Sequence, residues 1–263
     1  MNINDVEKDQ SFHDWKDFEP NEVQYAKYDK DQPSTLAAAH KIQDFYWAFC
    51  GARFSLLESS RCSFPEVSDK FQKTNALNCA ILQYALCFDL LWQIAWAYVT
   101  PSSFENLCDR EPEKLEKNCT REDLQERLGC NISQNPSLTS IDKKIQTWLK
   151  KYDNDNRMKV IRELNNYIKH RGTIAYVGFN KNPRAIGNVD LGNGKVAGIK
   201  FLQRKELSVE ETEQKLVDYH FAIEEAVREL IDLIMPIDYR NSVSATDFVI
   251  NTLDVVKRQQ RDS

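Results

Sequence analysis

The chain has 263 residues, 41% of them hydrophobic and 29% charged, with only 8 glycines and 8 prolines. That composition excludes a disordered, collagenous or disulfide-stapled miniature protein and fits one globular unit of moderate to large size or two small ones. Its 35 basic and 40 acidic residues leave a net charge of −5, so no global positive field holds nucleic acid non-specifically and any RNA contact must be local.

The first residues, MNINDVEKDQSFHDW, are acidic and polar, without the basic start and apolar run of a secretory signal, and the chain is expected in the cytoplasm. Seven cysteines form no CxxC pair, so reduced thiols are expected. Cys108, Cys119 and Cys130 are evenly spaced, but without a CxxC or HxxxH partner motif no metal site is expected, and no cofactor motif is present. The glycosylation-like triplets at Asn118 and Asn131 carry no meaning in a cytoplasmic chain.

Residues 1–33 read as an N-terminal extension of loops and short helical turns, closed by a helix start at Pro33-Ser34. From 34 to about 59, Leu36, Ala39, Ile42, Phe45, Tyr46, Phe49 and Phe54 recur at helical spacing. After a break at Cys62-Ser63-Phe64-Pro65, a second long helix is predicted over about 68–99, apolar nearly all round in its second half and stopped by Thr100-Pro101. Its segment Ala76 to Val99 is long enough for a bilayer. A central aspartate, Asp89, costs about 2.5–3.5 kcal/mol on insertion, against about 0.3–0.6 gained per Leu, Ile or Phe. A buried core helix is therefore predicted, and no membrane partner. Tyr46, Trp47, Trp92, Trp96 and Tyr98, on apolar helices, are expected in the core rather than as base-stacking surfaces.

Residues 101–138 carry Pro101, Pro112, Gly129 and Pro136 around a capped piece starting at Thr120, and read as a helical insertion. Helices follow over about 140–152 and 155–171, the second with Asp153, Asn154 and Asp155 as caps and Gly172 as its stop. In 173–203, Asn193-Gly194 between alternating apolar runs predicts an antiparallel β-hairpin. The glycines around Lys195 do not match a phosphate loop, because Val196 follows the lysine and the spacing is wrong. Helices over about 208–235 and 245–260 complete an all-α chain without internal repeats.

The helix before Gly172 carries the chemistry. Val160, Ile161, Leu164, Tyr167 and Ile168 form an apolar face, while Arg162, Asn166 and His170 follow one another at i, i+4 and i+8 on another stripe, with Glu163 beside them. Histidine suits proton transfer near neutral pH and arginine suits bidentate contact with phosphate, so this stripe can meet RNA. Equally, a histidine in a last helical turn serves the helix dipole, and polar residues at this spacing form a solvated face.

The run Leu164-Asn165-Asn166-Tyr167-Ile168-Lys169-His170-Arg171-Gly172, behind two long helices, resembles the Rx4-6H signature region of the HEPN domain superfamily. The segment from Asn75 to Trp96 is similar to the aromatic core helix of its Cthe_2314-like group. The likeness covers residues 34–235, and its specific motif spans about nine residues. It implies a HEPN-like helical bundle, a single domain over 34–263 with an insertion at 101–138 and a small β-hairpin at 173–203, and a homodimer.

The resemblance also implies a metal-independent endoribonuclease or toxin-like effector of prokaryotic defence or stress response. RNA is then the substrate, and an antitoxin or defence-complex protein is a possible partner. His170 would act in proton transfer and Asn166 would match the polar residue that often follows the motif arginine. Asn165 stands where that arginine belongs and carries no positive charge; Arg162, about 12 Å along the helix axis from His170, and Arg171, adjacent to it, are the guanidinium groups at hand. The alternative is a catalytically inactive HEPN scaffold that binds RNA or a partner protein, and a purely structural helical adaptor is a third reading.

Among other candidates, Asp89 calls for a partner within its apolar helix, either His170 or an arginine near the site, or a Trp or Tyr of a neighbouring helix. His40 and His220 read as core or surface histidines, and His13 carries no pattern. Lys143, Lys144, Lys150, Lys151, Arg157 and Lys159 form a local basic edge able to steer RNA.

Overall fold

Helix-forming runs with few interior breakers dominate the chain. The computed structural model, which describes residues 1–28, 32–61, 67–100, 119–129, 138–178, 188–190, 196–198 and 205–240, is accordingly all-α with a small β element. In chain order the elements are α1 (Ile3–Lys8), a 3-10 helix (His13–Phe18), α2 (Glu22–Tyr28), α3 (Pro33–Arg61), α4 (Val67–Val99), α5 (Arg121–Arg127), α6 (Ser140–Asp153), α7 (Asn156–Arg171), β1 (Ala175–Tyr176), β2 (Asn188–Asp190), β3 (Val196–Gly198), β4 (Glu206–Leu207) and α8 (Val209–Ile234). Their ends follow local chemistry. Pro33 opens α3 where its missing N–H is not needed, Thr120 accepts from Asp123 N–H at 3.1 Å to start α5, and Ser208 accepts from Glu211 N–H at 3.0 Å to start α8.

The chain divides into two units: residues 1–9, 48–87 and 153–223 form one, and residues 10–47, 88–152 and 224–263 the other. In unit 1 the core is built on Phe49, Leu56, Leu77, Ile81, Tyr84 and Ile161, all fully buried. Arg53 ties down α1: its Nε donates to the Val6 carbonyl at 3.1 Å and its Nη2 to the Glu7 carbonyl at 2.7 Å. Nearby, the buried Lys73 of α4 pairs with Glu213 of α8 at 3.0 Å, and Ser59 donates to the same carboxylate at 3.2 Å.

The β element of unit 1 has two parts. β2 and β3 pair antiparallel, Val189 opposite Ala197, as the Asn-Gly signal predicts; the connecting residues 191–195 lie outside the described residues. β1 and β4 pair in parallel, Ala175 opposite Glu206, a contact not expected from the sequence. It joins the exit of α7 to the entry of α8, and two-residue strands are too short to leave an alternating pattern.

In unit 2 the segment after α8 is held by Tyr239. Its hydroxyl donates to the Phe18 carbonyl at 3.3 Å, its carbonyl accepts from Gln24 Nε2 at 3.0 Å, and its ring lies 5.8 Å from Phe18 and 5.4 Å from Tyr28. Elsewhere in this unit Trp96 Nε1 donates to Asp123 at 2.6 Å, which fastens α5 to α4. Residues 1–28, expected as an extension, thus supply core to both units: Val6 in the first, and Phe12, Trp15, Phe18 and Tyr28 in the second. Of the expected insertion only 119–129 and residue 138 are described, and the helix expected at 245–260 lies outside the described residues.

α4 is long and apolar enough to cross a bilayer by length and composition, but 61% of its most apolar window is buried inside the protein, as expected of a core helix. Asp89 is half-buried, not fully buried, so the partner that full burial would demand is not required. Trp47 departs from the expected core assignment: it is 65% exposed, on the side of α3 opposite Ile42 and Phe45.

Candidate functional site

α7 belongs to unit 1 and is fixed at both ends. At its start the Asp155 side chain accepts from Arg157 N–H at 2.8 Å and pairs with the Arg157 guanidinium at 2.6 Å. That guanidinium holds the Asp155 carboxyl below its ordinary value, outweighing partial burial. At its end Gly172 adopts φ 95°, a left-handed conformation that a side chain would strain, and returns its N–H to the Ile168 carbonyl at 3.3 Å. The Tyr167 hydroxyl accepts from Lys205 N–H, which ties the entry of β4 to the last turns of α7.

The buried stripe of α7 is Met158, Ile161, Leu164 and Asn165, whereas Val160, Tyr167 and Ile168 are only half-buried. The apolar face is therefore rotated toward Asn165 relative to the expected one. Asn165 is 6% exposed and its Oδ1 has no hydrogen-bond partner. Asn165, the position the resemblance aligns with a motif arginine, is thus turned into the core.

The remaining candidates come together on the outside. His170 and Asn166 are exposed, Arg162 is half-exposed, and helical geometry sets the three on one side of α7, with exposed Glu163 beside them. Among the described residues the His170 imidazole takes part in no hydrogen bond or ion pair. Arg171 is also exposed but projects to a different flank, next to the Gly172 turn. Lys169, His170 and Arg171 place basic groups at the negative end of the helix dipole. Such a strip sets a proton-transfer group, an amide and the Arg162 guanidinium along one face of the helix, with the Arg171 guanidinium on the next flank.

The other histidines are engaged elsewhere. His40, in unit 2, is hydrogen-bonded through Nε2 to the Tyr25 hydroxyl at 2.7 Å, and His13 stacks on Phe12 at 4.4 Å. His220 is fully buried in unit 1: Nδ1 is 2.7 Å from the Tyr84 hydroxyl, Nε2 is 3.1 Å from Asp9 Oδ2, and Phe49 stacks on the ring at 4.6 Å. Sequence reasoning left His220 as a core or surface histidine and singled out neither Tyr84 nor Asp9, because its partners are 136 and 211 residues away. Part of the expected basic edge is already paired, Arg157 with Asp155 and Lys151 with Glu225 and Glu229.

Comparison with known proteins gives no match to a family model, a curated protein or a solved structure.

Proposed function

We propose that the protein is a HEPN-type endoribonuclease that cleaves RNA without a metal ion, two copies meeting so that the exposed strips of their α7 helices face one substrate. The observation that carries this reading is the placement of His170: exposed, unpaired among the described residues, and aligned with Asn166 and Arg162 on a capped helix. One His170 takes the proton of a ribose 2′-hydroxyl, whose oxygen forms a bond to the adjacent phosphorus. The phosphorus–O5′ bond breaks, and the second copy's His170 gives its proton to the leaving oxygen. The products are a 2′,3′-cyclic phosphate and a 5′-hydroxyl. Arg162 or Arg171 supplies the positive charge for the five-coordinate phosphorus, an interaction of the kind worth about 2.7–4 kcal/mol. The HEPN resemblance extends the proposal to an effector of prokaryotic defence or stress response, cytoplasmic, restrained by an antitoxin or joined to a defence complex.

A second reading is favoured by Asn165. With an uncharged, buried amide at the motif arginine position, the same surface binds RNA or a partner protein without cutting it. Incubation with structured and unstructured RNAs in excess chelator separates the two. Cleavage lost by about 10²–10⁴-fold in His170→Ala supports the nuclease; RNA binding without cleavage in both proteins leaves the RNA-binding scaffold, and neither RNA binding nor cleavage sinks both RNA-directed readings.

A further inference from the structure

Unit 2 holds an open groove of about 480 Å³ between α6 and the late turns of α8, lined by Lys143, Lys144, Thr147 and Lys151 on one side and Glu229 and Leu233 on the other. The four α6 residues share one side of the helix, as spacings of one, four and eight require. The groove wall is stiff: Trp148, 4% exposed, donates its Nε1–H to the Ala226 carbonyl at 2.9 Å and joins α6 to α8.

The two acidic residues of the α8 wall share one lysine, with Lys151 Nζ 2.6 Å from Glu229 and 3.3 Å from Glu225. Asp142, the acidic residue next to Lys143, is turned back to the helix start, where it accepts from Thr139 N–H at 2.9 Å and from the Thr139 hydroxyl at 2.8 Å. Lys143 and Lys144 are exposed and, among the described residues, neither ammonium group is in an ion pair. Two ammonium groups outside any ion pair therefore face the groove, with the exposed Thr147 one turn further along. The α6 positions lining it run about 12 Å along the axis from Lys143 to Lys151, longer than one phosphate and suited to successive phosphates of a chain. The groove is open to solvent and does not enclose a small anion.

We infer that this groove binds the phosphate backbone of a single-stranded RNA segment, with Lys143 and Lys144 as its phosphate contacts. The inference rests on the RNA-directed reading above and adds to it a binding surface in the other unit. It follows the general design of sequence-tolerant strand binding, in which a basic groove tracks the backbone and affinity falls with salt.

The test uses the full chain and a fluorescein-labelled 12-nucleotide 2′-O-methyl RNA, which cannot be cut through its 2′ oxygen, titrated by anisotropy at several salt concentrations. Lys143→Gln/Lys144→Gln is expected to bind about tenfold more weakly at low salt and to lower the slope of log K against log salt by about 1.4, two contacts at about 0.7 each. Lys41→Glu/Lys215→Glu, which changes net charge more but on half-buried, ion-paired lysines that do not line the groove, is expected to retain most of the affinity and the full slope. Wild-type affinity and slope in the groove variant would overturn the inference, as would an equal loss in the Lys41/Lys215 variant, tighter binding to single-stranded DNA of the same length, or no binding by the unaltered protein. His170-dependent cleavage with an unaffected groove variant removes the groove alone. Groove-dependent binding without cleavage removes the nuclease alone.

Discussion

The Tyr84 hydroxyl and His220 Nδ1 lie 2.7 Å apart in the interior of unit 1, with both side chains fully buried. Burial pushes the Tyr84 phenol well above its ordinary value, so it serves as a neutral hydrogen-bonding group. Tyr84→Phe leaves His220 Nδ1 without its partner in a site water does not reach. The expected loss is about 1–3 kcal/mol, read as a lower urea midpoint at unchanged slope. RNA cleavage per folded molecule should be untouched, which distinguishes this structural histidine from His170; a selective loss of cleavage would reverse the two roles.

A second stability effect is expected at Lys73 and Glu213, 3.0 Å apart with side chains 8% and 22% exposed. Glu213→Ala removes the carboxylate that pairs with a buried ammonium group and should destabilise by about 1–3 kcal/mol. Lys73→Met removes the charge together with its need for a partner and should cost distinctly less. Thermal melts of the two variants decide the matter: equal losses, or a larger loss in Lys73→Met, would contradict this account.

At Asp155 the prediction concerns pH. Because the Arg157 guanidinium holds the folded-state value below the unfolded one, the ionised carboxylate adds stability above the ordinary carboxyl range, and that contribution disappears as pH falls through the lowered folded value. Asp155→Ala should therefore cost about 1 kcal/mol at pH 7, and the gap to the unaltered protein should close toward pH 2. A gap that stays constant across this range would show that the carboxylate charge plays no part.

Asn165 offers a gain instead of a loss. Its Oδ1 is buried without a partner, so Asn165→Leu exchanges an unsatisfied amide for an apolar group of similar size. Stability should rise by about 1 kcal/mol, with RNA binding and cleavage retained. Should cleavage vanish while the fold is strengthened, Asn165 belongs to the working site after all.

Much of this was legible in the sequence. The bounds of α3, α4, α6, α7 and α8 follow from apolar periodicity, Pro33, Asp155 and Gly172, signals that act within a turn or two of chain. The β2–β3 pair was announced by Asn193-Gly194. Contacts set by long-range packing were not legible: the parallel pairing of Ala175 with Glu206, the Tyr239 anchor on Phe18, and the burial of His220 against Asp9 depend on residues far apart in the chain. At the candidate site the strip of Arg162, Asn166 and His170 was readable from spacing alone, because helical geometry fixes it. The inward turn of Asn165 was not, since a polar residue at the edge of an apolar face gives no local sign that packing will draw it in.

The central claim is that His170 cuts RNA through the neighbouring 2′-hydroxyl. It is tested most directly by mapping cleavage of one RNA in excess chelator, then repeating the reaction with 2′-deoxyribose placed only at the cleaved nucleotide. The account predicts 2′,3′-cyclic phosphate ends in the first reaction, no cut at the substituted position in the second, and neither product with His170→Ala. Cutting at the deoxy position, or 3′-hydroxyl ends, would contradict it.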